Sequence, residues 1–105
     1  TGNLDEAKTY FQKTLAVDPL AGGSLNGLAR VYSAQGETEQ AVKVWQKMVD
    51  KLPGPHAGTV GLANAYFEKK EFKKAVPLLE RLAKAYPNDA DVKHKLELAR
   101  AGEPK

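Results

Sequence analysis

Residues 25–53 read LNGLARVYSAQGETEQAVKVWQKMVDKLP, and residues 59–87 read TVGLANAYFEKKEFKKAVPLLERLAKAYP. The two stretches repeat the same residue types at a constant separation of 34 residues. The shared positions are Leu28 and Leu62, Ala29 and Ala63, Tyr32 and Tyr66, Ala41 and Ala75, and Pro53 and Pro87. Several independent matches in one register predict an array of stacked structural repeats.

Each repeat has the pattern of a helical hairpin. The apolar residues of its first half, such as Leu25, Leu28 and Tyr32, recur at helical spacing on one face. Gly36 then marks a turn, because glycine adopts the left-handed conformation that commonly ends a helix. A second apolar stripe follows and ends at Pro53, since proline cannot continue a helix. The pattern predicts two antiparallel helices per repeat.

The sequence resembles the tetratricopeptide repeat family, whose pattern is W-x2-L-G-x2-Y, then A-x3-F, then P, at a period of 34 residues. The family tryptophan is replaced by Leu25 and Thr59, so we expect looser packing around Thr59, and Lys70 stands where the first full repeat has Gly36. The resemblance implies an all-α, right-handed α-solenoid of antiparallel helix pairs with about six helices. It also implies a role in protein–protein interaction.

The repeat period predicts how the chain is divided. We expect a half repeat with only its second helix at 1–21, full repeats at 22–55 and 56–89, and a C-terminal capping helix and tail at 90–105. These segments form one predicted domain, which we expect to be a fragment of a larger protein, because the chain starts at Thr1 without a methionine.

Composition excludes several classes of protein. The chain has no cysteine, so thiol catalysis and zinc–thiolate sites are excluded. Its formal net charge of +3 is spread along the sequence, with one basic cluster in KKEFKK (69–74). Because the basic residues do not form a concentrated stripe, we do not expect nucleic-acid binding. No apolar run approaches the roughly 20 residues of a membrane span, so we expect a soluble chain without membrane insertion. No signal peptide is visible, and the sequence indicates no compartment.

The sequence contains few candidate catalytic or metal-binding groups. Neither His56 nor His94 has a second nitrogen or sulfur ligand three or four residues further on, so no metal site is predicted. The acidic residues near turns, Asp89 and Asp91 among them, are expected to cap helices. No nucleophile elbow or phosphate loop is present. We therefore expect a protein that is not an enzyme and that needs no cofactor.

The concave face of such an array is its predicted binding surface. In the family the first helix of each repeat lines this groove, which provides side-chain donors and apolar groups for a protein or peptide. The predicted groove residues are Asn26, Gly27, Arg30, Ser33, Val60, Gly61, Asn64, Phe67, Glu68, His94, Lys95 and Leu98. Some family members bind C-terminal carboxylates through a Lys/Asn/Asn/Lys/Arg set. Asn64 and Lys95 match it, but Val60 and Gly61 do not, so we do not expect that ligand.

The N-terminal end supports an alternative prediction. Its apolar residues should face a helix that precedes the chain as well as the next repeat. They either contact missing upstream repeats or mediate self-association into a homo-oligomer. The predicted self-association residues are Leu4, Ala7, Tyr10 and Phe11. Two functions therefore stay open: a scaffold or adaptor that binds a peptide or protein in its groove, and a structural or self-associating part of a longer array without a ligand of its own.

Overall fold

The computed structural model describes residues 2–54 and 56–102. These residues form six α-helices and no β-strand, which confirms the prediction of an all-α fold with about six helices. The helices are α1 (Gly2–Val17), α2 (Gly22–Ala34), α3 (Thr38–Lys51), α4 (Ala57–Glu68), α5 (Phe72–Ala85) and α6 (Ala90–Gly102). They fall into two compact units, with α1 to α3 in unit 1 and α4 to α6 in unit 2.

Unit 1 is built around α2, which packs against both α1 and α3. Ala29 on α2 and Ala41 on α3 have no exposed surface, and Trp45 and Met48 are buried beside them. A small side chain on each helix lets two backbones approach closely, while the larger residues fill the space above and below. The stripe read from the sequence is therefore the packed face of this hairpin.

Unit 2 is built around α5, which packs against both α4 and α6. Ala63, Ala75 and Ala99 have no exposed surface, and Leu62 and Leu79 are 1% exposed. Pro77 lies inside α5, and the helix continues through this residue. Pro77 itself is exposed to solvent. Fully buried alanines beside larger apolar residues therefore form the core of both units.

The turns inside the two hairpins have the same geometry despite different residues. Gly36 and Lys70 both adopt positive φ, at 80° and 63° respectively. In the first turn the Glu37 N–H donates to the Tyr32 carbonyl at 2.8 Å, and in the second the Glu71 N–H donates to the Tyr66 carbonyl at 2.9 Å. This is the Schellman arrangement, which normally uses glycine. The lysine therefore carries a conformational cost that the glycine does not.

The packing of α1 on α2 accounts for the glycine at position 27. A Cβ atom built at Gly27 would lie 2.7 Å from Cε1 and 2.8 Å from Cε2 of the Phe11 ring, and closer still to its Cζ. The Phe11 ring therefore occupies the space that a side chain at position 27 would need. An alanine methyl group at this position would require the Phe11 ring to move.

Candidate functional site

A cavity of about 290 Å³ opens in unit 2 between α4, the second half of α5 and the first half of α6. All of its lining belongs to this one unit. The lining residues are His56, Ala57, Val60, Asn64, Leu79, Leu82, Tyr86, Asp89, Asp91, Val92 and Lys95. Three of them, Val60, Asn64 and Lys95, belong to the groove predicted from the sequence.

A polar bridge joins α4 to α6 across the cavity. The Lys95 ammonium donates to Asn64 Oδ1 at 2.9 Å and lies 3.2 Å from Asp91 Oδ2. The Lys95 side chain is 26% exposed, whereas that of Asp91 is 72% exposed. Asp91 and Lys95 are four residues apart on α6, the spacing that lets an acid and a base meet on a helix. The bridge leaves the Asn64 amide group in the cavity as a potential donor.

Two helix caps border the cavity. The Gly58 N–H donates to His56 Nδ1 at 3.0 Å, and the His56 N–H donates to Thr59 Oγ1 at 3.3 Å. Thr59 is 1% exposed, so it replaces the expected aromatic anchor with a buried capping group. At the start of α6, Asp89 Oδ1 accepts from the N–H groups of Asp91 and Val92. Each cap satisfies backbone donors that a helix start leaves unpaired.

The floor of the cavity is apolar. Leu79 and Leu82 on α5 are 1% and 2% exposed, and Val92 on α6 is buried. Val60 and Tyr86 are considerably more accessible, at 42% and 48%. Buried leucines below and accessible apolar groups beside them make a surface that an apolar side chain could cover. Such concave apolar sites with a few polar groups are typical of binding pockets.

The other predicted groove residues of unit 2 lie outside this cavity. Phe67 packs edge-to-face against Phe72 of α5, with ring centroids 5.8 Å apart. Gly61 is half-buried, and Glu68, His94 and Leu98 are exposed without lining the cavity.

Unit 1 places its predicted groove residues in different surroundings. Asn26 Oδ1 accepts from the Trp45 indole N–H at 3.2 Å, so its oxygen serves the contact between α2 and α3. Gly27 lies under the Phe11 ring. Arg30 and Ser33 are exposed. Any binding role for these four residues stays a prediction.

The predicted self-association residues lie on α1. Tyr10 is 66% exposed, while Leu4, Ala7 and Phe11 are half-buried, with Phe11 against α2. An open depression on α1 is lined by Asp5, Glu6, Thr9, Tyr10 and Lys13. The exposed tyrosine is thus the accessible apolar residue of this set.

Residues 1–54 and 26–90 match the family described as Tetratricopeptide repeat. The two matches together span most of the sequence. The chain belongs to the tetratricopeptide repeat family. A similar protein is the RNA polymerase-associated protein CTR9 of Saccharomyces cerevisiae, with 30% identity over 93 residues, or 89% of this chain. The chain spans 8% of the length of that protein.

The sequence did not indicate several cavity residues, because in the tetratricopeptide repeat family only the first helix of each repeat is expected to line the groove. The expected first-helix positions include Val60, Asn64 and Lys95. Leu79 and Leu82 lie instead on the second helix α5, where their spacing predicts only that they are buried in the core. Asp89 caps α6 as the sequence predicts, but the sequence does not indicate that it also lines the cavity. Tyr86 could have been noticed as an aromatic residue next to the helix-ending Pro87.

The described residues show neither a metal-binding cluster nor a membrane-spanning helix. Across residues 2–54 and 56–102, His, Asp and Glu side chains nowhere gather in a group of three or more that could hold a metal ion. Within the same described ranges, none of the helices combines the length and apolar character that crossing a membrane requires.

Proposed function

We propose that this chain is a non-catalytic protein-binding module and that the cavity of unit 2 receives a segment of a partner protein. The observation that carries the proposal is the cavity itself, which combines an apolar floor with the Asn64 and Lys95 donors. A relative named for its association with RNA polymerase is in keeping with a role in binding another protein.

The size and chemistry of the cavity suit a peptide. Its volume of about 290 Å³ is near the lower end for ligand pockets, which start at roughly 300 Å³. A peptide could place an apolar side chain over Leu79 and Leu82, and its backbone carbonyls could accept from the Asn64 amide group and the remaining Lys95 N–H. Backbone and side chain would then both contribute to recognition.

The polar groups of the cavity support a binding role rather than catalysis. His56 Nδ1 and Asp89 Oδ1 cap helices, and Asp91 is paired with Lys95. A general base or nucleophile needs a group that is positioned to reach the substrate and to exchange protons with it. The described partners instead hold these groups in structural contacts.

A steric variant tests the proposal. Val60→Trp would fill the accessible side of the cavity with a large side chain, and Val17→Trp is the matched control, because Val17 on α1 is 88% exposed and lies outside the cavity. The immobilised wild-type chain and both variants would capture partners from a cell extract, with identification by mass spectrometry and circular dichroism as a check of folding.

We expect Val60→Trp to lose specific partners that Val17→Trp and the wild type retain. If folded Val60→Trp captures the same proteins in the same amounts as the wild type, the cavity does not receive the partner and the proposal is wrong.

The exposed side chain of Tyr10 favours a second candidate function, self-association through α1. Light scattering at high protein concentration measures it directly. A dimer that Tyr10→Lys converts to a monomer would support this function, and a monomeric wild type at every concentration would contradict it.

A further inference from the structure

We infer that the cavity of unit 2 selects a peptide segment in which an apolar side chain is flanked by lysine or arginine. This inference rests on the protein-binding role proposed above and names the chemistry of the partner.

The lining of the cavity is acidic on a unit that is basic. Residues 56–102 contain nine Lys and Arg and six Asp and Glu residues, so their formal charge is +3. The charged lining residues are Asp89, Asp91 and Lys95, which give the cavity a formal charge of −1. The formal charge of the cavity is therefore opposite in sign to that of the unit. A ligand in the cavity interacts mainly with the cavity's own charged groups, because salt screens charges that are farther away.

The one cation of this lining is already neutralised. Lys95 holds Asp91 at 3.2 Å and Asn64 at 2.9 Å, so two of its three N–H donors are committed. A carboxylate on a ligand would have to displace Asp91 from the ammonium group or lie beside it. Either arrangement brings like charges together, which disfavours an acidic segment.

The two aspartates keep acceptor capacity for a ligand cation. Asp89 uses Oδ1 for the cap of α6, and Asp91 uses Oδ2 for Lys95. Their other oxygens, Asp89 Oδ2 and Asp91 Oδ1, accept no hydrogen bond from any part of the chain that the structure describes. Lysine and arginine side chains carry donors that match such oxygens. A basic residue would bring the formal charge of the occupied cavity to zero.

The apolar floor supplies the other half of the recognition. Leu79, Leu82 and Val92 supply buried apolar lining, and Val60 adds an accessible apolar side chain. An aliphatic side chain can cover this floor while a neighbouring lysine or arginine reaches the aspartates. The long aliphatic stem of such a residue also tolerates contact with apolar surface.

Two blocked peptides test the inference: acetyl-Gly-Lys-Leu-Lys-Gly-amide and acetyl-Gly-Glu-Leu-Glu-Gly-amide. The blocked ends remove the terminal charges, so the peptides differ only in the residues that flank leucine. Each is titrated into the isotope-labelled full chain at low salt, and the backbone NMR signals of the cavity residues report binding. We expect the lysine peptide to bind about fivefold more tightly, since an exposed ion pair contributes a modest factor.

Charge-removing variants identify the groups responsible. Asp89→Asn keeps the helix cap, because asparagine caps a helix about as well as aspartate, and Asp91→Asn changes an exposed side chain. Glu97→Gln is the matched control, since Glu97 is exposed on α6 outside the cavity. We expect each aspartate variant to reduce the preference for lysine about twofold, the double variant to abolish it, and the control to retain it.

The outcomes separate this inference from the proposed function. Binding of both peptides at the cavity with equal affinity, or a preference for glutamate, overturns the inference and leaves the protein-binding role in place. If neither peptide shifts the cavity signals, both are contradicted. A preference for lysine that survives the double variant also overturns the inference, because the aspartates are then not its source.

Discussion

Units 1 and 2 place corresponding residues of the repeat in two different arrangements. Phe11 and Gly27 in unit 1 lie two repeat periods before Leu79 and Lys95 in unit 2. In unit 1 a large ring covers a glycine, whereas in unit 2 a smaller leucine forms the floor and a long lysine reaches across to Asn64. The larger residue of the pair thus lies on α1 in unit 1 but on α6 in unit 2, where the leucine lines the cavity.

The order of the helices adds to this difference. Unit 1 has one first helix, α2, between two second helices, while unit 2 has two first helices, α4 and α6, on either side of α5. The cavity has a wall from each of these two first helices. A cavity lined in this way therefore needs two first helices on either side of one second helix.

The largest expected effect comes from the equivalent core residues Leu82 and Met48, both 2% exposed. Leu82→Ala and Met48→Ala should each lower the free energy of unfolding by about 3 kcal/mol, because each deletes buried methylene groups. Urea denaturation measures this loss. Only Leu82→Ala should also weaken peptide binding, since Leu82 lines the cavity and Met48 does not. Equal effects on binding would remove the distinction between the units.

The next largest effect tests the ring and the glycine. Gly27→Val should destabilise the chain by about 2 kcal/mol, because its side chain needs the space of the Phe11 ring. Gly23→Val is the control on the same helix, since a Cβ at Gly23 has no heavy atom within 4 Å.

A double variant sharpens this prediction. Phe11→Leu should recover much of the loss in Gly27→Val, because the pair then has the smaller second-helix residue found in unit 2. A double-mutant cycle in urea measures the coupling. Additive losses would show that the ring does not limit residue 27.

A smaller effect distinguishes the two turns. Gly36→Ala should cost about 1 kcal/mol, because a left-handed non-glycine residue is strained. Lys70→Gly should instead stabilise the chain by about 0.5 kcal/mol, the relief of strain being offset by the greater freedom of glycine when unfolded. Thermal unfolding of the two variants should thus shift in opposite directions. Shifts of the same sign would contradict the shared geometry of the turns.

The smallest effect concerns the exposed ion pair between Arg100 of α6 and Glu80 of α5, at 2.8 Å. Glu80→Gln should lower the free energy of unfolding by about 0.5 kcal/mol or less, because water screens the charges. The difference should decrease as salt is added. A loss of several kcal/mol would mean that this pair, rather than apolar packing, attaches α6.

Sequence periodicity was sufficient to predict the helices, their buried stripes and the turn at Gly36, because these depend on local spacing. Asn64 and Lys95 were among the predicted groove residues, and the structure shows that both line the cavity and that they bond each other. Sequence periodicity could not reveal the Phe11–Gly27 contact or the cavity floor, since both depend on how closely two helices approach. The capping role of Thr59 was missed for a related reason, because its hydroxyl accepts from the His56 N–H in a contact that is visible only in three dimensions.

The cap of α4 also fixes the tautomer of its histidine. A backbone N–H can donate to His56 Nδ1 only when that nitrogen carries no proton, so the neutral ring that caps α4 holds its proton on Nε2. The imidazole is therefore not an interchangeable donor and acceptor at the edge of the cavity. The start of α4 therefore makes Nδ1 the acceptor of this ring and the Nε2–H group its donor.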